Sequence, residues 1–278
     1  NLIAFYYRKD LLKEAGFSEP PSTWDELVKV GQALTKGTNG DGVINQWGFA
    51  TLGQPGDVCN VYSFLDFLFQ SGGQFFDADG KPAFNSPAGV KALQFFIDLR
   101  NKYKIMPPDV TTYDNTQVHT GFLNGTFAMV NHWPYMQGMV AGSKLADKVG
   151  YAREPIPEDG HHAAVLNAWS FGIMKMSKKK ELAFDLIKYV TSKKAGTFEF
   201  SKQLDWPLRK SVYDSSSARE VVPQAHWDFS QVLFDIARSD GQVVRPPKAA
   251  QVGHILGEQI DLAMQGNLTA QEALDAAK

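Results

Sequence analysis

The chain has 278 residues, enough for one large or two ordinary domains, and its 28 lysines and arginines against 30 aspartates and glutamates leave no global basic field to hold nucleic acid. Its single cysteine, Cys59, excludes an internal disulfide framework and a cysteine-based zinc cluster, which suits a cytosolic protein or a bacterial envelope protein without disulfides. No apolar run reaches the roughly 18 residues of a membrane span, and the chain opens on Asn1 with no signal-peptide pattern.

In chain order, Leu2, Ile3, Phe5 and Tyr7 predict the end of a buried strand. Asp10 is expected to cap a short helix over Leu11 and Leu12 that Gly16 ends. The rigid Pro20-Pro21 connector then leads to Thr23, which with Glu26 three residues on predicts a capping box and a helix from Trp24 to about Leu34. Trp47 to Ala50 reads as a strand. Ser86 with Pro87 opens a helix whose buried stripe is Val90, Leu93, Phe96 and Ile97. A strand follows at Phe127–Val130. Ser177 is expected to cap a helix turning Leu182, Leu186, Ile187 and Val190 inward. Val252, Ile255, Leu256 and Leu262 mark another helix, ended near Gly266, and Thr269 with Glu272 predicts a capping box for the last one. Helices alternating with short strands argue for an α/β class.

Several of these segments together resemble one family. Tyr6-Tyr7-Arg8-Lys9-Asp10-Leu11-Leu12, Gly16, Pro20-Pro21 and Thr23-Trp24-Asp25-Glu26-Leu27 are similar to a block of the extracellular solute-binding proteins of ABC importers, in the sugar-binding, maltose-binding-like branch. Later segments agree in order: Trp47 to Ala50, Phe122 to Met129, Trp169 to Ile173 with Ser177 to Glu181, and Pro207 to Ser211. The resemblance implies a two-lobed, type II periplasmic-binding-protein fold, represented here mostly by the C-terminal lobe. Residues 1–8 would be a hinge crossover strand, 9–164 most of the C-terminal lobe, 165–215 a segment returning to the N-terminal lobe, and 216–278 the completion of the C-terminal lobe. It further implies that the opening βαβ part of the N-terminal lobe is missing from the chain. The returning segment, with Leu186, Ile187 and Val190, would then face water or pair with another chain.

The implied activity is capture of a solute between closing lobes, with no chemistry and no cofactor. A sugar needs an aromatic plate for its C–H face and planar polar groups for its hydroxyls. Three places offer these. Asp57, Asn60 and Tyr62 follow the Gly/Pro loop at 53–56, where Asp57 serves either a ligand or a helix cap. Trp133 and Tyr135 follow the Phe127–Val130 strand; in the family the aromatic residue after this strand commonly touches the sugar, and the competing reading is a core tryptophan. Asn167, Trp169, Trp206 and Arg209 would line the hinge side, with Arg209 either binding ligand or pinning its loop. Many family members carry Gly-Gly where this chain has Asn167-Ala168-Trp169, a departure that implies Trp169 fills the cleft and weakens the carry-over of Gly-type backbone contacts. If Trp133 is a plate, Trp133→Ala is expected to weaken binding and leave the melting temperature nearly unchanged.

Other clusters carry blander readings. Thr38 to Asn45 has the middle of a calcium loop, but Gly37 and Gly48 stand where the terminal ligands belong, so a turn is favoured. His161-His162 after Glu158-Asp159-Gly160 reads as a solvated loop rather than a metal site. Tyr6-Tyr7 belongs to the strand signature rather than to a ferric site. No Gly-x-Ser-x-Gly, His-Glu-x-x-His, P-loop or Gly-x-Gly-x-x-Gly pattern points to an enzyme. The rivals are a carbohydrate-active enzyme using two carboxylates and a binder of another solute such as a polyamine. The expected partners are a small solute, a sugar first, and the permease subunits. The expected location is the periplasm or the extracellular face, as a lipoprotein.

Overall fold

A computed structural model describes residues 2–56, 59–167, 169–202, 209–239, 241–243 and 249–278. The chain begins with β1 (Ala4–Arg8), α1 (Lys9–Glu14), α2 (Trp24–Leu34), β2 (Trp47–Ala50), α3 (Cys59–Gln70) and α4 (Pro87–Asn101). It continues through α5 (Asn115–Asn124), β3 (Phe127–His132), α6 (Met136–Ala141), β4 (Val149–Ala152) and β5 (Ala164–Leu166). Helices α7 (Lys180–Val190), α8 (Lys193–Lys202), α9 (Lys210–Tyr213), α10 (Ser216–Val221) and α11 (Gln224–Ser239) follow, then β6 (Gly241–Val243), α12 (Ala249–Met264) and α13 (Ala270–Ala277).

A four-stranded mixed sheet in the order β2-β3-β1-β4 is the spine. β1 runs antiparallel to both neighbours, with Tyr6 opposite Val130 on β3 and Tyr151 on β4. Because side chains alternate along a strand, Phe5 enters the core built with α2, α3, α4, α12 and α13, while Ala4 and Tyr6 enter the core on the other face, with α5, α6 and α11. Helices therefore cover both faces, as the α/β expectation requires. A second, two-stranded sheet pairs β5 with β6 in parallel, and Leu166 at its end bridges to Leu2 before β1.

Most of the local signals hold. Thr23–Glu26 and Thr269–Glu272 form reciprocal capping boxes, Ser86 caps α4 with Pro87 in the first turn, and Gly16 and Gly266 take positive φ just past their helices. Three differ. Asp10 lies inside α1 rather than capping it; its carboxylate takes a bidentate hold of Arg8 at 2.7–2.8 Å. Lys179, not Ser177, stands at the N-terminus of α7, without a side-chain cap. On α12 the inward residues include Leu256 and Ile260, whereas Ile255 and Leu262 are exposed. The Thr38–Asn45 segment is a turn, with Val43 N–H donating to Asp41 at 2.8 Å.

Gly48 shows what its position is for. A Cβ there would meet the Gly31 carbonyl oxygen at 2.0 Å and the Gly31 Cα at 2.5 Å, so α2 and β2 touch backbone to backbone. Gly48→Ala is expected to lower unfolding stability by about 1–3 kcal/mol, the usual range for overpacking. Urea denaturation would show it as a lower midpoint, and an unchanged midpoint would contradict the close packing.

The segment from Trp169 through α8 is unlike the rest. α7 buries none of its residues, and Leu182, Phe184 and Leu186 are each more than half exposed. Trp169, Phe171, Met174 and Met176 are also exposed. Of the stripe expected to face inward on α7, Leu182 and Leu186 are exposed, while Ile187 and Val190 are partly covered.

Candidate functional site

The site builds outward from the end of β3. His132 is the last strand residue and is fully buried; its Nε2 lies 3.1 Å from the Asn115 carbonyl. Burial pushes its imidazole down to about 4, so it is neutral at pH 7. Trp133 follows and is 9% exposed, held in the core with Ala4, Tyr6 and Val130. The Tyr6 hydroxyl donates to the Trp133 carbonyl at 3.0 Å.

Tyr62, on α3, presents its ring edge to Trp133 at 5.3 Å between centroids and 82° between planes. Its hydroxyl accepts from the Asn167 amide at 3.2 Å, and Asn167 is the first residue after β5. A cavity of about 150 Å³ opens beside this pair, lined by Tyr62, Leu65, Phe75, Leu166, Asn167 and Gly253 among others. Tyr135, half-buried, sits near His119 with its hydroxyl 3.2 Å from Nδ1, and burial raises its phenol to about 12.

The structure thus brings together Tyr62, Trp133 and Asn167 from three separate stretches of sequence, with Tyr135 two residues from Trp133. Others part company with the expectation. Asn60 is completely buried as the second residue of α3, where its amide donates to the Gly257 carbonyl at 2.8 Å and ties α3 to α12; it does not stand at a ligand mouth. Arg209, for which the sequence leaves ligand binding and loop pinning both open, donates to the Thr191 carbonyl. Trp169 projects into solvent at 92% exposure, with no ring contact to the Trp133–Tyr62 pair. Asp57 and Trp206 lie outside the described residues. Trp133 is largely core, so its removal is costly, and the expected neutrality of Trp133→Ala toward melting does not survive its burial.

A second cluster had no signal in the sequence. Asp66 and Gln70 lie one turn apart on α3 and meet Glu154, which follows β4. Gln70 Nε2 donates to Glu154 Oε2 at 2.8 Å, Trp24 Nε1 donates to Gln70 Oε1 at 3.2 Å, and Val165 N–H on β5 donates to Asp66 Oδ1 at 2.7 Å. Asp66 Oδ2 and Glu154 Oε1 have no hydrogen-bond partner among the described atoms. Desolvation raises both carboxyls, and Asp66 raises Glu154 further. Burial disfavours the ionised form of each, and an ionised Asp66 makes Glu154 harder still to ionise. No three His, Cys, Asp or Glu side chains among the described residues converge as a metal site, and no described helix is long and apolar enough to cross a membrane.

Comparison with known proteins gives the arrangement its context. The family model for bacterial extracellular solute-binding proteins matches residues 2–197. A probable ABC transporter-binding protein of Deinococcus radiodurans is 32% identical over 234 residues, covering 83% of this chain and 54% of that protein. The mannitol-binding protein of Pseudomonas aeruginosa is 24% identical over 295 residues, covering 98% of this chain and 65% of its own length. The chain thus spans just over half of the first relative and just under two thirds of the second. Among solved structures, maltose-bound MalE3 of T. maritima superposes with a TM-score of 0.86 at 31% identity, over 99% of this chain and 68% of that one. A solute-binding protein of Thermotoga lettingae bound with alpha-D-tagatose reaches the same TM-score at 26% identity. The fold is therefore that of type II binding proteins.

Proposed function

This chain belongs to the bacterial extracellular solute-binding proteins, and from that membership we propose that it captures a carbohydrate in a cleft between two lobes and passes it to the permease of an ABC importer. The observation that carries the reading is the Trp133–Tyr62 pair at the end of β3. It supplies an apolar aromatic surface for a sugar's C–H face, with the Tyr62 hydroxyl, held by the Asn167 amide, beside it for hydroxyl groups. The maltose, tagatose and mannitol named for its relatives support the same class of ligand.

In this reading residues 9–164 and 216–278 form one lobe, residues 1–8 cross to it, and 165–215 belong to the facing lobe. The exposed apolar face of α7 supports that division, since a helix with an apolar stripe is built to be covered. Hinge closure around ligand, for which periplasmic binding proteins are a standing example, would then bury the sugar between the lobes. The location follows as outside the cytoplasmic membrane, with lipoprotein anchoring as the proposed attachment.

Family members are substrate-binding components of transporters, and the structure offers little to the enzyme alternative. Asp66 and Glu154 are sealed in the interior, where no glycosidic bond can reach them. Incubation with maltose, maltotriose and D-mannitol is expected to raise the melting temperature and to leave every sugar intact by chromatography. A thermal shift accompanied by cleavage would favour the enzyme; no shift with any sugar but one with spermidine would favour the polyamine reading.

A further inference from the structure

Trp133 is held from two sides, and both holds come from the strands that, on the reading above, cross between the lobes. From the first, Tyr6 on β1 donates its hydroxyl to the Trp133 carbonyl at 3.0 Å. That hydroxyl has little freedom, because the Tyr6 ring is fully buried and wedged among Phe122, Tyr151 and Phe229 at 5.3–6.4 Å. The last β1–β3 pair is Ala4 with His132, so Trp133 stands one residue beyond the ladder, where a strand would otherwise be free to swing. From the second, Asn167 leaves β5 and donates to the Tyr62 hydroxyl, and the Tyr62 ring edge rests on Trp133. The two strands are themselves joined by the Leu2–Leu166 bridge, so a change of crossover geometry reaches both holds together.

We propose that Tyr6 and Asn167 are positioning residues that couple the angle of the Trp133–Tyr62 plate to the geometry of the two crossover strands. The proposal rests on the sugar-binding reading of that plate and adds its regulation. Neither residue needs to touch ligand for this role. Tyr6 is inaccessible to one, and Asn167 acts through its donation to the Tyr62 hydroxyl. A ligand that stacks on the plate only in one crossover geometry draws binding energy from closure, and closure in turn sharpens stacking, as linkage demands.

Tyr6→Phe and Asn167→Ala test this, since the first keeps the ring packing and removes one hydroxyl. Affinity for maltose and D-mannitol is measured by calorimetry, and near-UV circular dichroism of the ligand-free chain reports the plate. Each variant is expected to bind five- to twentyfold more weakly while staying folded at 25 °C, and each is expected to change the near-UV band that Trp133→Phe removes. In a Trp133→Phe background both substitutions are expected to lose most of their effect, whereas a general loss of stability would persist there. Asn167→Gln is expected to recover part of the affinity that Asn167→Ala loses. Parent-like affinity and an unchanged near-UV band in both variants would overturn the proposal, as would effects of equal size in the Trp133→Phe background. If the parent binds no sugar, the sugar reading fails, and the near-UV band of the ligand-free variants alone decides the coupling.

Discussion

Trp133→Ala is expected to abolish measurable sugar binding and to lower the free energy of unfolding by about 3–5 kcal/mol, the usual cost of emptying a buried aromatic site. Both effects come from one geometry. The indole is 9% exposed, so most of its surface packs in the core around Tyr6 and Val130, while Tyr62 meets it edge-on. Alanine would leave a cavity that the Tyr6 and His132 contacts to this stretch of backbone prevent from collapsing. Binding is therefore measured at a temperature where denaturation curves show the variant folded. Val130→Ala is the control, since Val130 is fully buried in the same cluster on the strand that leads to Trp133. It is expected to lose stability and keep affinity. If Trp133→Ala loses stability but binds maltose as the parent does, the tryptophan is core alone and the plate lies elsewhere.

Asp66→Asn is expected to flatten the dependence of stability on pH above about 6.5 and to raise the melting temperature at pH 8. In the folded chain burial holds a proton on Asp66 up to about 8, and Glu154 beside it is raised as well. An unfolded carboxyl releases that proton near its ordinary value of about 4. Between those values the folded state holds a proton the unfolded state has lost, so stability falls as pH rises, by up to about 1.4 kcal/mol per pH unit for each proton. His132 acts in the opposite sense. Its folded value is pushed down to about 4, so its contribution is complete above its unfolded value near 6.5 and is lost as pH falls from there. The two slopes oppose each other between about 4 and 6.5, and the carboxyl pair contributes a descent from 6.5 toward 8. Arg153 and His162 line the small cavity beside Glu154.

Asparagine reproduces the protonated acid in shape. Its oxygen can keep the Val165 N–H bond. Melting curves of parent and Asp66→Asn from pH 5 to 9 therefore separate the pair from all other groups. Identical profiles would show that the two carboxyls do not hold the proton.

The capping boxes at Thr23 and Thr269, the Ser86–Pro87 start and the turn at 38–45 were legible because every group they use lies within a few residues. Tyr62 and Trp133 were legible as aromatic residues after a helix start and a strand, but that they meet edge-on was not. Asn60 and Tyr62 show the limit most directly. They lie two residues apart on one helix with similar polar character, yet Asn60 turns to Gly257, 197 residues away, and Tyr62 to Asn167, 105 residues away. The carboxyl pair was invisible for the same reason, since Gln70 and Glu154 are 84 positions apart and neither sits in a motif.

By itself the sequence determined the family, the α/β class and the ends of several helices, because hydrogen-bond caps, hydrophobic period and ordered motifs are local along the chain. The tertiary structure was needed for the rest: which polar residues turn inward, and that Trp133 packs in the core against Tyr62. Periodicity states that a face seeks burial; what covers it depends on surfaces brought from distant parts of the fold, and no local spacing encodes them.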